Sequence, residues 1–387
     1  MNITQILDTC TGCGMCAAIC PSSAIQMQPD EHGFLHPVVD AAKCTDCGLC
    51  ARKCPASMPP QVSAHTDILA GYAKDATLLT KSSSGAIFPV LAAEIIRRGG
   101  LVFGAAFDGN FNVVHTAAET LSELSALCSS KYVQGRVPSD CYAQVKAALA
   151  AGQWVYFSGV PCQIAALKSY LGRDYETLIT QDTACHSVPS PLVWEGYKEE
   201  LEKQHSGKLT AFSFRNKANG WEAYHIRAAF ENGREFVQPA AENPYQRGFI
   251  KGLYSRSSCF VCKFKGIERC SDITLADYWG VKGIQPDAYN PQGTSIILIH
   301  SEKGRSLLAS CKDELQLQPA VKDAFAFNPA VLTPVEKPAR YDEFWEGYGQ
   351  KPFTDLVSAC CEPTEEELAQ ERRNKSLLAR IMRRLKR

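Results

Sequence analysis

Across residues 84–98 the apolar side chains Ile87, Val90, Leu91 and Ile95 fall three and four apart, which puts one apolar stripe on a helix. Gly99-Gly100 ends that pattern, and residues 101–107 then run almost without a polar side chain, as a strand covered on both faces does. Helical stretches are predicted near 119–128 and 139–150, followed by a strand ending Phe157-Ser158-Gly159, a helix over 161–171, a strand over 177–184 and a helix over 190–204. The pattern then shortens to hairpin-like pieces, Phe212-Ser213-Phe214 and Tyr224-His225-Ile226-Arg227 with an Asn232-Gly233 turn, which suggests an antiparallel insertion or sheet extension. Two further apolar runs, Ile273-Thr274-Leu275-Ala276 and Ile296-Ile297-Leu298-Ile299, read as strands. The fold class predicted is an α/β body on a mixed sheet, preceded by a small α+β module.

That module, residues 1–60, is an internal repeat. Cys10-x2-Cys13-x2-Cys16-x3-Cys20-Pro21 recurs as Cys44-x2-Cys47-x2-Cys50-x3-Cys54-Pro55. Between the copies, the strand-like runs Ala24-Ile25-Gln26-Met27 and Leu35-His36-Pro37-Val38-Val39 flank Asp30-Glu31-His32-Gly33, which reads as a hairpin turn. Three thiolates at this spacing wrap one face of an iron–sulfur cubane, and in two-cluster ferredoxins the fourth comes from the other run. One [4Fe–4S] cluster is therefore assigned Cys10, Cys13, Cys16 and Cys54, and the other Cys44, Cys47, Cys50 and Cys20. Zinc, the competing reading, usually takes its ligands in separated pairs.

Composition changes this picture little. The 387 residues carry 41 Lys+Arg against 41 Asp+Glu, so no overall field draws the chain to nucleic acid or a membrane surface. The first residues lack a basic segment followed by an apolar one, no apolar run is long enough to span a bilayer, and cysteines spaced as metal ligands suit a reducing compartment; the protein is read as cytoplasmic. Residues 61–80, after Pro59-Pro60, read as a linker. At the far end, Thr364-Glu365-Glu366-Glu367 offers a capping box, and Leu377, Leu378, Ile381, Met382 and Leu385 make a stripe among arginines and lysines. Residues 362–387 are read as a basic amphipathic helix, solvated or peripheral to a membrane or partner.

Cys162 opens a predicted helix, Cys185 closes a predicted strand, Cys259-x2-Cys262 is a pair, and Cys270 follows. Five thiols suffice for a third cubane with one spare, and strand–helix junctions are where α/β sheets hold ligands. Cys162, Cys185, Cys259 and Cys262 are the candidate ligands and Cys270 the spare. His186 is read as hydrogen-bonded to backbone. Cys128, Cys141, Cys311, Cys360 and Cys361 show no grouping and read as structural.

From about residue 82 the chain resembles the coenzyme F420 hydrogenase/dehydrogenase beta-subunit family. The resemblance is carried by Ser82-Ser83-Ser84-Gly85, Gly99-Gly100-Leu101-Val102-Phe103-Gly104-Ala105, Ser130-Lys131-Tyr132-Val133-Gln134, Phe157-Ser158-Gly159-Val160-Pro161-Cys162-Gln163, Cys185-His186-Ser187-Val188-Pro189-Ser190, and Cys259-Phe260-Val261-Cys262 leading to Asp277-Tyr278-Trp279-Gly280. It implies an N-terminal-like region over 81–155 and a C-terminal-like region over 156–335 that holds FAD and the third cluster. No Gly-x-Gly-x-x-Gly motif is present, so the FAD rests on the resemblance, with Ser83, Ser84, Gly85, Ser130 and Lys131 as its phosphate contacts. The implied activity is an iron–sulfur flavoprotein oxidoreductase, passing electrons between a ferredoxin-like carrier or partner redox subunit and a small hydride carrier or other substrate, a deazaflavin among them. A non-catalytic electron-transfer subunit, or a redox accessory protein linked to surface-polysaccharide synthesis, stands as the alternative.

Overall fold

The computed structural model describes residues 2–364 and Leu368, so the helix predicted over 362–387 lies almost wholly outside the described residues. In the N-terminal module, β1 (Ile25–Pro29) pairs antiparallel with β2 (Leu35–Val39). Asp30 closes the turn, its Oδ1 accepting from the N–H groups of His32 (3.0 Å) and Phe34 (2.8 Å). The two cysteine runs fold alike: a left-handed glycine, Gly14 or Gly48, redirects the chain into a short helix, Met15–Ile19 or Leu49–Arg52.

The body is built on β3 (Asp67–Ala73), β4 (Leu101–Phe107), β5 (Val113–Ala118), β6 (Val155–Gly159), β7 (Leu178–Thr183), β8 (Leu209–Asn216), β9 (His225–Phe230), β10 (Glu235–Pro239), β11 (Ile273–Asp277), β12 (Ser295–Ile299) and β13 (Leu315–Pro319). Eight of these form one sheet in the order β13-β3-β12-β11-β7-β6-β4-β5, and β10-β9-β8 form a separate antiparallel sheet. Strands β11, β7, β6 and β4 are parallel, whereas β12, β3, β13 and β5 run against their neighbours, which makes the main sheet mixed. The helix Pro161–Leu171 is the crossover that lets β6 and β7 lie side by side in parallel; Pro161 stands in its first turn and Gly172, in the left-handed region, ends it.

Both faces of the sheet are covered. The helix Ile87–Arg97 packs Ile87, Val90, Leu91 and Ile95 against Val102, Tyr156 and Ile297, with Leu307 and Leu308 of the helix Glu302–Ser310 in the same core. On the opposite face Tyr142, Val145 and Leu149 of the helix Ser139–Ala150, and Ile164 and Leu167, cover Phe103, Val155 and Phe157. An aromatic core around Trp194 joins the helix Pro191–His205 to the small sheet through Phe212 and Phe214, and to the helix Pro244–Lys251 through Tyr245.

One reading of the chain's organisation is corrected here. The stretch 61–80 is no linker: β3 is hydrogen-bonded on both sides, to β12 and β13, and the helix Ala76–Lys81 follows it. Its apolar residues Ile68, Leu69, Ala70 and Tyr72 were masked by the prolines upstream. The regions on either side of 155/156 share one sheet, and β6 itself begins at Val155.

Candidate metal centre

In the module, Cys10, Cys13, Cys16 and Cys54 line one cavity, closed by Ile3, Ile6, Leu7, Met15, Met27 and Pro55. The N–H of Gly12 points at the Cys10 sulfur (3.4 Å), and that of Ala24 at the Cys20 sulfur (3.3 Å), the kind of backbone donation that sulfur ligands of a cluster receive. Burial pushes the Cys13 thiol up to about 12, with Cys10 and Cys54 adding to the rise. Cys20 and Cys50 share a small core with Ile25 and Val39, while Cys44 is half-buried and Cys47 exposed. The second thiol set is thus the outward one.

A second cavity lies where the body meets the module. Gly159 and Asp182 are register partners on β6 and β7, and Cys162 and Cys185 each stand three residues beyond them, at the C-terminal ends of parallel strands. Cys259 and Cys262 arrive from a loop anchored beside them: Ser255 bridges to Pro189, the Arg256 N–H donates to the Val188 carbonyl (2.9 Å), and the Ser187 and Ser255 hydroxyls are 2.6 Å apart. All four cysteines line this cavity, and Cys270 is not among its lining residues. Burial, then Cys185, Cys262, Cys259 and Cys13, pushes the Cys162 thiol well up; burial likewise takes Cys185 to about 11 and Cys259 to about 12. Among the described residues no three Cys, His, Asp or Glu side chains converge on the site of a single metal ion. The four thiols line one cavity, the placement that a [4Fe–4S] cluster would need of its ligands.

The donor set fits a cluster in its charge as well. Lys265 donates through Nζ to the carbonyls of Cys185, His186 and Ala330, Arg269 donates to the carbonyls of Gly266 and Val331, and Arg256 lines the cavity. Arg269 is ion-paired with Asp182 (4.0 Å), whereas Lys265 and the buried Arg256, both lining the cavity, are held on neutral carbonyls and suit a group of net negative charge. His186 lines the cavity, but its Nε2 lies 3.1 Å from the Ile250 carbonyl and its ring packs edge-on against Phe249.

The module wall of this cavity is Thr9, Thr11 and Ala56. The Tyr142 hydroxyl donates to the Cys13 carbonyl (2.7 Å), the Lys263 ammonium to the Ala56 carbonyl (3.0 Å), and the Leu35 N–H to Gln134 Oε1 (3.0 Å). Gly12 sits at φ +70°, where an added Cβ would fall 2.4 Å from Gln134 Nε2 and 2.9 Å from the Leu35 carbonyl oxygen, so the cysteine loop needs glycine there to press against the body.

At the sheet edge near the C-terminal end of β11, the structure gathers the remaining candidates. The Ser130 N–H and hydroxyl approach the Ser83 hydroxyl at 2.7 and 3.0 Å, and the Gly85 N–H donates to Ser295 Oγ (3.0 Å). Lys131 donates to the carbonyls of Cys128 (2.9 Å) and Ser129 (3.3 Å), forms no ion pair among the described residues, and is brought down by burial to about 8. Two cations that the sequence reading missed hold the same loop: Arg215, paired with Asp277, donates to the Ser83 carbonyl (2.8 Å), and Lys217 to that of Ser84 (3.0 Å). Their only signal was two charges closing an apolar strand. The buried Nε of Arg215 has no hydrogen-bond partner among the described residues, which leaves one unused donor in this region for an anionic ligand.

Two thiol-lined cavities against one another, one in a cysteine-repeat module and one at the edge of an α/β sheet, define an iron–sulfur electron-transfer protein of the oxidoreductase-subunit kind. Residues 9–58 match the 4Fe-4S dicluster domain, and residues 152–323 match the coenzyme F420 hydrogenase/dehydrogenase family in the C terminus of its beta subunit. The two matches cover separate stretches of the chain, the module and the later part of the body. Among solved structures, a chain titled as the F420-reducing [NiFe] hydrogenase complex from Methanosarcina barkeri, in a xenon derivative, aligns with a TM-score of 0.45 and 16% identity, over 67% of this chain and 85% of that chain. No curated protein matches the chain.

Proposed function

We propose that the protein couples one-electron transfer through three [4Fe–4S] clusters to two-electron chemistry at FAD. The observation that carries this reading is the cavity shared by Cys162, Cys185, Cys259 and Cys262, walled by the module's own cysteine loop. It supports a third cluster with Cys162, Cys185, Cys259 and Cys262 as ligands, next to the module cluster of Cys10, Cys13, Cys16 and Cys54. The module's other cluster, held by Cys20, Cys44, Cys47 and Cys50, is then the outer terminal, where exposed Cys47 faces a ferredoxin-like carrier or another redox protein.

FAD, when bound, accepts two electrons as hydride and returns them singly. In this reading Lys131 supplies the positive charge for its pyrophosphate, and the hydroxyls of Ser83, Ser84 and Ser130 supply hydrogen bonds. Arg215 and Lys217 hold the Ser83-Ser84 backbone in place. Gly85 leaves room for the close chain crossing, since an added Cβ would stand 2.6 Å from the Gly71 carbonyl oxygen.

Anaerobic purification followed by iron, sulfide and flavin analysis of one sample tests the reading. About twelve irons and one FAD per chain are expected. About eight irons without flavin would leave a two-cluster electron-transfer protein and end the converter reading.

A further inference from the structure

Arg256 is 1% exposed and is built into the contact between the two cavities. Its backbone belongs to the body, fixed by its N–H to the Val188 carbonyl and by its own carbonyl, which accepts from the Cys259 N–H (2.9 Å). Its side chain belongs to the module: Nε donates to the Cys10 carbonyl (2.7 Å), which Ser258 Oγ also reaches (2.8 Å), and Nη2 donates to His36 Nε2 (2.9 Å). The guanidinium lies 5.5 Å from the Phe34 ring centroid. Nη1 is buried without a hydrogen-bond partner among the described residues and points at Gly12, where an added Cβ would stand 3.0 Å from it.

Among the described residues no carboxylate lies within ion-pair distance of this cation; Asp30, whose Oδ2 is 3.2 Å from His36 Nε2, stands beyond the imidazole. An unpaired buried guanidinium is costly unless negative charge elsewhere matches it. Here that charge can come from two sides, the thiol set of Cys10, Cys13, Cys16 and Cys54 and that of Cys162, Cys185, Cys259 and Cys262. We propose that Arg256 is a shared counter-charge, a positioning residue that raises the reduction potentials of both adjoining clusters together and leaves the outer one alone.

The inference rests on the reading of both cavities as cluster sites. One electron crossing between them adds a negative charge on one side of Arg256 and removes one on the other. No bond changes and no proton moves, and the attraction of the cation to the pair is nearly constant throughout. A counter-charge so placed favours reduction of either site without trapping the electron on one of them.

Potentiometric titration of the full-length, anaerobically reconstituted protein, followed by electron paramagnetic resonance, tests this in wild type, R256Q and R256K. In R256Q two of the three midpoints fall, each by a roughly tenfold shift in the oxidised-to-reduced ratio, about 59 mV for a one-electron couple. The third midpoint stays as the internal reference, and R256K returns the two toward wild type. Movement of one midpoint alone, of none, or of all three equally would overturn the proposal, as would an R256K protein that behaves like R256Q. Should R256Q fail to retain iron, R256M takes its place with the same fall of two midpoints expected and the same overturning outcomes, and a joint fall in R256K, which keeps the charge while losing the fork, overturns the proposal. Wild-type protein with about eight irons overturns the proposal through the body site itself, before any variant is made.

Discussion

Cys162 and Cys185 owe their meeting to strand register: the partners Gly159 and Asp182 each lead, three residues on, to a thiol at the same sheet edge. That placement was legible in the sequence, because β6, the helix Pro161–Leu171 and β7 are short, apolar and contiguous. The module cysteines were legible for the same reason, their spacing being local. Arg256 and Arg215 were not, since their partners Cys10 and Ser83 lie far off in the chain and a lone arginine announces nothing about what it will meet. Lys131 was named on the resemblance alone, and its setting makes a prediction for the proposed flavin site. Burial brings its ammonium down to about 8, so it is charged below that pH and increasingly neutral above it. FAD affinity should therefore weaken as pH rises through about 8, by roughly tenfold for loss of one charge-assisted hydrogen bond, and K131M should bind more weakly with no such step. Fluorescence titration of flavin across that range checks it; a K131M profile that still breaks near the same pH would remove Lys131 from the site.

Elements with continuous apolar patterning were predicted to within a few residues, whereas those whose stability comes from distant partners were missed. β3 is the plain case. Its run of Ile68, Leu69, Ala70 and Tyr72 is short and follows a proline-rich approach, yet β12 and β13 hydrogen-bond it from both sides. β13 was overlooked likewise: Leu315, Gln316, Leu317 and Gln318 alternate over too few residues to stand out before their partner strand is known. The small sheet shows the opposite weakness, marked by its Asn232-Gly233 turn but silent about what it packs on. Trp194 answers that. It is 1% exposed, donates through Nε1 to the Phe111 carbonyl (2.8 Å), and packs edge-on against Phe212 and Tyr245. W194A should lower stability by about 3–5 kcal/mol, as truncation of a large buried aromatic does, with a corresponding fall in the urea midpoint. An unchanged midpoint would mean that the small sheet is held by other contacts.

For the molecule as a whole, the proposed cofactor set has a countable capacity. Three one-electron clusters and one two-electron flavin take up about five electrons per chain, against about three if flavin is absent. Stoichiometric anaerobic reduction monitored by absorbance measures the number directly, and a plateau near three would rule out the flavin. Net charge and the described helices add less: acidic and basic residues balance, and among the described residues no helix is long and apolar enough to cross a membrane. The interleaving of β3 between β12 and β13 has a consequence for how the protein is made. The module leaves the ribosome before the body, and its two cysteine runs are complete by Cys54, so iron can be delivered to them while translation continues. The slot for β3 does not exist until β12 and β13 have been synthesised, so the body sheet closes late. A nascent chain halted before residue 295 would carry every thiol of both cavities but a body sheet still lacking the strands that hold β3.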